Sequence, residues 1–247
     1  MKEIYLDFVK KDTSNHPFSA MLSDWFKFVP DDEWLLDPNI SKKEAIEIWN
    51  YLKMTSGVKI LDCPCGRADV SFYFATRGAM ITGLDINPRF ISQSRKKFLD
   101  AGLPCNFIHM DMRDMDYDEE FDYLINWQNS FGYFDDSTNE MVMNKFAKSL
   151  RRGGKLVISG QNIGYTYQFY DKPSDNTHTY WDPDLRRVCY RFKTEDHEFL
   201  GSAKFMTLEE YERIISNSGL NICNVFGEGF SEYIPDESEW FIIVAEK

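Results

Sequence analysis

No run of about 18 apolar residues, the length a membrane-spanning helix requires, occurs in the 247-residue chain. Its start, Met1-Lys2-Glu3-Ile4-Tyr5-Leu6-Asp7, leads into no long apolar stretch of the kind that directs secretion. Basic residues are outnumbered, 28 Lys and Arg against 40 Asp and Glu, for a net charge of −12. Such a surface repels phosphate backbones, which argues against nucleic acid as a general partner. The five cysteines are an odd number without framework spacing and fit reduced thiols in a cytoplasm. Cys63-Pro64-Cys65 lacks a second ligand pair and a His at ligand spacing, so no metal site is expected. No repeat or low-complexity tract appears, and a 43% hydrophobic fraction is enough for a real core.

From Val58 onward, strand-like and helix-like segments alternate. Val58–Asp62, Ala79–Leu84, Cys105–His109, Phe121–Asn126 and Lys155–Ser159 read as strands. Helices are expected over Ala68–Arg77, Pro88–Ala101 and Asp136–Leu150, with Gly78, Gly102 and Gly153-Gly154 as stops. An earlier helix opens at a Ser41/Glu44 capping box, carries Ala45, Ile46, Ile48, Trp49 and Leu52, and ends near Gly57. Strands joined by helical crossovers imply a parallel, doubly wound, Rossmann-like α/β sheet. After a helix at Leu208–Ser218, Ile222–Phe226 and Trp240–Ala245 have no helix between them, which predicts a C-terminal antiparallel hairpin. One domain spans 1–247. Residues 1–40 form an aromatic N-terminal flap, and 160–206 form a lid insertion with one strand at Arg187–Lys193.

In such a sheet the ligand crevice lies beyond the carboxyl ends of the strands. The first strand ends in Asp62-Cys63-Pro64-Cys65-Gly66-Arg67-Ala68, a loop with one glycine. A dinucleotide site would want G-x-G-x-x-G there, and Asp62 would repel pyrophosphate. A ligand with an ammonium and no phosphate fits better, and S-adenosylmethionine is one. Asp85 ends the second strand, twenty-three positions on, where a carboxylate can take both hydroxyls of a ribose. After the third strand, Asp111 can accept from an adenine amino group while the Met112 N–H donates to a ring nitrogen. Asn126 ends the fourth strand beside the first loop.

Asp62–Ala68, Thr82-Gly-Leu-Asp-Ile-Asn87, Asp111-Met-Arg-Asp114, Asn129–Asp136 and Arg151–Ile158, together with the closing helix and hairpin, resemble in order the motifs of class I S-adenosylmethionine-dependent methyltransferases. The likeness runs from about residue 57 to the end and implies a seven-stranded sheet of order 3-2-1-4-5-7-6. It also implies that Asp62, Pro64, Cys65 and Gly66 hold the methionine end, Asp85 and Ile86 the ribose side, Asp111 and Met112 the adenine, and Asn126 the sulfonium region. The family's usual first loop is Asp-x-Gly-x-Gly-x-Gly. Pro64 and Ala68 replace its first and last glycines, and the Ala68 methyl is expected to tighten the pocket.

The implied reaction is methyl transfer to a small-molecule acceptor whose attacking atom the sequence does not reveal. His178 is the candidate base or acceptor contact, and Tyr165, Tyr167 and Trp181 are candidate walls of the acceptor pocket. Two other readings compete. One is a non-catalytic S-adenosylmethionine- or nucleotide-binding protein. The other is a nicotinamide-dependent oxidoreductase, which the missing glycine fingerprint and the terminal hairpin oppose.

Overall fold

The computed structural model describes residues 38–170, 177–184, 186–193 and 198–247. Most of the expected flap, 1–37, lies outside the described residues. The chain runs α1 (Pro38–Tyr51), β1 (Lys59–Asp62), α2 (Asp69–Thr76), β2 (Met80–Asp85), α3 (Pro88–Asp100), β3 (Asn106–His109), β4 (Phe121–Asn126), α4 (Asp136–Ser149) and β5 (Leu150–Gln161). A short helical turn, α5 (Ile163–Thr166), leads to β6 (Thr177–Asp182), β7 (Arg187–Lys193) and β8 (Glu198–Ala203). Then come α6 (Leu208–Asn217), β9 (Asn221–Phe226) and β10 (Trp240–Glu246).

Seven strands form one sheet of order β3-β2-β1-β4-β5-β10-β9. Once the three insertion strands are set aside, this is the order the family resemblance implied. The first five strands are mutually parallel. β10 runs antiparallel between β5 and β9, closing the sheet with the expected hairpin.

Side-chain alternation divides the core between the two faces of the sheet. Ile60, Ile125, Val157 and Ile242 point to one face, where Ile48, Phe74 and Phe98 of α1, α2 and α3 cover them. Leu61, Leu124, Leu156, Ile158 and Ile243 point to the other, against Phe146 of α4 and Ile214 of α6. Crossovers from β1 and β4 therefore leave on opposite faces. The gap between these adjacent strands is the topological switch point, where such sheets bind ligands.

Three local features differ from expectation. α1 begins at Pro38, a favoured first helical position, so Ser41 and Glu44 lie inside it and form no cap. The chain does contain a capping box, at Thr207 and Glu210 before α6. Ala68 adopts the left-handed conformation (φ 52°) that a glycine takes freely. Its methyl is buried in the core and does not line the pocket, so the replacement acts on the backbone and not on cavity size.

The insertion is more regular than the sequence suggested. β6, β7 and β8 form a separate antiparallel sheet, with β7 at the expected bounds. Its anchor is Arg187, a buried side chain that donates to the backbone oxygens of Tyr133 (3.2 Å) and Phe134 (3.1 Å) and to Ser202 Oγ (2.9 Å). Beside it the Lys204 N–H donates to the Gly132 carbonyl at 2.8 Å. Gly132 has φ +94°, and a Cβ there would sit 2.1 Å from the Lys204 carbonyl oxygen. Gly132→Ala is therefore expected to cost about 1–3 kcal/mol and loosen the insertion. Urea unfolding and limited proteolysis across 160–206 would check this, and an unchanged midpoint would contradict it.

Candidate functional site

A cavity of about 1010 Å³ opens at the switch point, walled by the loops after β1, β2, β3 and β4, the start of α1, and the insertion sheet. Its volume lies at the top of the ~300–1,000 Å³ range of small-molecule sites. Of the predicted cofactor residues, Asp62, Pro64, Cys65, Gly66, Asp85, Ile86, Asp111 and Met112 all line it.

Asp62 and Asp85 are buried where β1 and β2 stop. Asp62 accepts a 2.6 Å hydrogen bond from the Ser71 hydroxyl at the start of α2. Asp85 accepts from the backbone N–H groups of Gly66 and Asn87, each at 2.8 Å. Asn87 in turn caps α3, accepting from Arg89 N, with Pro88 opening the helix. Neither carboxylate forms an ion pair among the described residues. Burial pushes Asp62 up to about 7; the Ser71 bond opposes this, and the nearby Asp85 adds to it. Burial raises Asp85 to about 6 against the pull of its two backbone donors. Among the described residues, the site thus holds two desolvated carboxylates with no cation of their own.

Asp111 is different. Its carboxylate is held by Arg113, whose Nε donates to both oxygens at 3.1 Å and whose Nη2 donates to Oδ2 at 2.6 Å. The Arg113 guanidinium also lies over the Phe134 ring, 4.6 Å from its centroid. Both carboxylate oxygens are thus engaged, Oδ1 also accepting from the Arg113 backbone N–H at 2.9 Å, so each oxygen accepts two hydrogen bonds.

Asn126 does not line the cavity. It is fully buried, and its Nδ2 donates to the carbonyls of Cys63 (2.8 Å) and Ser130 (3.0 Å), tying the first loop to the fourth. Gln128 and Asn129 follow with φ of 57° and 56°, a conformation non-glycine residues seldom adopt. Contacts to β5 hold them there: Gln128 N donates to Ser159 Oγ at 2.7 Å, and Asn129 Oδ1 accepts from Gln161 N at 3.0 Å. Strained, over-determined backbone of this kind clusters at functional sites.

The predicted acceptor wall falls beside the cavity lining. Tyr165, Tyr167 and Trp181 do not line the cavity. Tyr165 packs edge-on against Phe169, Tyr167 is exposed, and Trp181 sits half-buried opposite Val188. The aromatic lining comes from their neighbours Phe169, Tyr170 and Phe205, with Trp127 and Trp240 from the main sheet. The helical turn after β5 rotates Phe169 and Tyr170 toward the cavity in place of Tyr165. His178 falls in β6, in register with Arg191; its side chain lies outside the described residues. The sequence reading missed Glu44, which lines the cavity from α1.

Residues 60–154 match the family described as "Methyltransferase domain". The Bacillus subtilis protein YqeM, a candidate methyltransferase, is 22% identical over 93% of this chain and 96% of its own. Among solved structures, the CcbJ methyltransferase of Streptomyces caelestis superposes with TM-score 0.72 at 14% identity, over 93% of this chain and 97% of that one. A Burkholderia thailandensis 1,6-didemethyltoxoflavin-N1-methyltransferase, solved with that substrate and S-adenosylhomocysteine, gives 0.64 at 14% identity, over 94% and 89%. Among the described residues no helix is long and apolar enough to cross a membrane.

Proposed function

We propose that the chain, whose residues 60–154 match a methyltransferase domain and whose fold is that of class I S-adenosylmethionine-dependent methyltransferases, moves the methyl group of S-adenosylmethionine onto a small molecule by direct in-line displacement. One observation carries the reading. Asp62, Asp85 and Asp111 stand on one side of a cavity whose other side, beyond β4 and β5, is left for a second molecule.

The residues suit the cofactor. Asp62, buried without a cation, faces the methionine ammonium. Asp85 takes the ribose hydroxyls with the lone pairs its two N–H donors leave open. Ile86, Asp111 and Met112 flank the adenine, with Asp111 held in place by Arg113. When bound, the cofactor supplies a methyl carbon made electrophilic by its sulfonium. The protein's part is alignment and exclusion of water. The insertion sheet contributes Thr179, Val188 and Ala203 to the cavity, with Phe205 just after it, a largely apolar cover suited to that task. A nicotinamide dinucleotide would instead bring its pyrophosphate against Asp62. A metabolite acceptor agrees with the net charge of −12, which disfavours nucleic acid.

Calorimetric titration with S-adenosylhomocysteine tests the reading. Micromolar binding is expected, and silence at millimolar ligand would defeat it.

The buried carboxylates add a pH signature. Asp62 titrates near 7 in the ligand-free fold against an ordinary 3.8. The native state therefore binds more protons than the unfolded chain between those values, and ligand-free stability falls as pH rises from about 4 to 7. A bound ammonium favours the ionised carboxylate, so cofactor affinity moves the opposite way. It should rise about tenfold between pH 6 and 8, with proton release on binding. Titrations in buffers of different ionisation enthalpy would show the release, and Asp62→Asn should abolish it. A flat profile in the parent protein would contradict the assignment.

A further inference from the structure

Glu44 projects from the first turns of α1 into the cavity and is not part of the cofactor wall. Its Oε2 accepts two hydrogen bonds, from Trp127 Nε1 at 3.0 Å and Gln128 Nε2 at 3.2 Å. Its Oε1 accepts none among the described residues. The donors belong to the strained segment directly after β4, on the side of the switch point away from Asp62, Asp85 and Asp111. Gln128 is held in its left-handed conformation by Ser159 of β5. Glu44 is thus aimed through one oxygen, while the other is left to the space where a second molecule would lie.

The surroundings favour a cation there. Glu47 and Glu228 line the same part of the cavity. Lys43, which lines the cavity beside them, is 77% exposed and reaches Glu47 at 3.8 Å. Trp127 and Trp240 present aromatic surface to the cavity, and such faces attract ammonium groups. Burial raises the Glu44 carboxyl above its ordinary range, with Glu47 and Glu228 adding to the rise and the bonds from Trp127 and Gln128 opposing it. That makes the group more basic toward a proton delivered at Oε1.

We propose that Glu44 is the acceptor-side carboxylate of this enzyme and that the acceptor is a protonatable amine. The inference rests on the methyl-transfer reading above. The amine enters as an ammonium paired with Glu44 and gives one N–H proton to its Oε1. The freed nitrogen lone pair forms the new N–CH3 bond as the S–CH3 bond breaks. That bond's electron pair stays on sulfur, giving neutral S-adenosylhomocysteine. The product leaves as the N-methylated ammonium, and Glu44 returns its proton to solvent.

The test uses the full chain, S-adenosylmethionine labelled in the methyl group, and a metabolite extract sorted beforehand by ion exchange into cationic, neutral and anionic pools. Label should enter product only from the cationic pool. Glu44→Gln, which keeps an acceptor for Trp127 but removes the charge, should lower kcat/KM with that pool by about tenfold or more. S-adenosylhomocysteine affinity should stay within about twofold of the parent, because the amide touches no cofactor group. Glu44→Asp, with its charge retained, should recover part of the loss; it serves as the reporter if the Gln variant does not fold. Label entering from the neutral or anionic pool overturns the amine assignment. So does an unchanged kcat/KM in Glu44→Gln, or a loss confined to cofactor affinity. No labelled product from any pool, with S-adenosylhomocysteine still bound, overturns methyl transfer itself.

Discussion

Asp85→Ala should weaken S-adenosylhomocysteine binding by about 1.5–3 kcal/mol, the usual contribution of hydrogen bonds to a charged group. Asp85 is placed for this by its own backbone contacts. Gly66 N–H and Asn87 N–H each occupy one lone pair of a carboxylate that has about four acceptor sites. The remaining sites face the cavity. The substitution also frees the two N–H groups, so part of the loss could come from a displaced first loop. Asp85→Asn separates the two contributions. It keeps the volume and one acceptor oxygen, and should show an intermediate loss. The ligand-free variants should remain folded, because burial already makes the ionised carboxylate costly and pushes its pKa to about 6. Calorimetry on variants with parent-like circular dichroism measures the effect. Full affinity in a folded Asp85→Ala protein would remove the ribose assignment.

Arg113→Met should have an effect of similar or larger size, and on stability as well as binding. Asp111 and Arg113 are 12% and 11% exposed at their side chains, so the substitution leaves a carboxylate mostly desolvated and without its guanidinium. Breaking a buried pair by removing one partner typically costs about 3–5 kcal/mol; the residual exposure puts this pair near the lower end. The loss of the guanidinium over Phe134 adds to it. The partial remedy is informative. Arg113→Lys restores charge but not the fork that meets both carboxylate oxygens, and should recover stability better than cofactor affinity. Guanidinium unfolding and S-adenosylhomocysteine titration on the same samples give both quantities. A stable Arg113→Met protein with unchanged affinity would show that the fork does not position Asp111.

How much of this was legible in the sequence depends on how local each signal is. β1, β2 and β4 announce themselves by apolar runs ending in a polar residue, and the carboxylates of Asp62 and Asp85 could be placed at the crevice because strand ends are local events; Asn126, at the end of β4, turned inward instead. The hairpin was legible because no helical pattern separates Ile222–Phe226 from Trp240–Ala245 in the sequence, and the structure puts only a short 3-10 turn, Glu228–Phe230, between them. β6 and β8 were not. Glu198–Ala203 carries a glycine and no clear alternation, and it is a strand because β7 supplies its partner. Arg187 was read only as the end of a strand; its burial against the Tyr133 and Phe134 carbonyls is a tertiary fact with no local trace. Glu44 was misread for a related reason. Its spacing from Ser41 matches a capping box, but a proline three residues earlier starts the helix and releases the side chain toward Trp127. Along the acceptor side, Phe169 and Tyr170 line the cavity where Tyr165 and Tyr167 were expected, a difference of one helical turn that no local pattern carries.

The separation of the two sheets has a consequence for how such a protein can change over evolutionary time. β6, β7 and β8 pair with one another and with no strand of the main sheet. Their attachment includes Arg187, which meets backbone carbonyls that any side chain at positions 133 and 134 would offer equally, and ion pairs of the flanking Arg186 and Lys204 with Glu210 and Asp136. Residues at Thr179, Val188 or Ala203 can therefore be exchanged without disturbing the ladder that sets Asp62 and Asp85. The ladder that seats the donor carboxylates is inherited as a unit, while the cover over the cavity is free to drift toward new molecules.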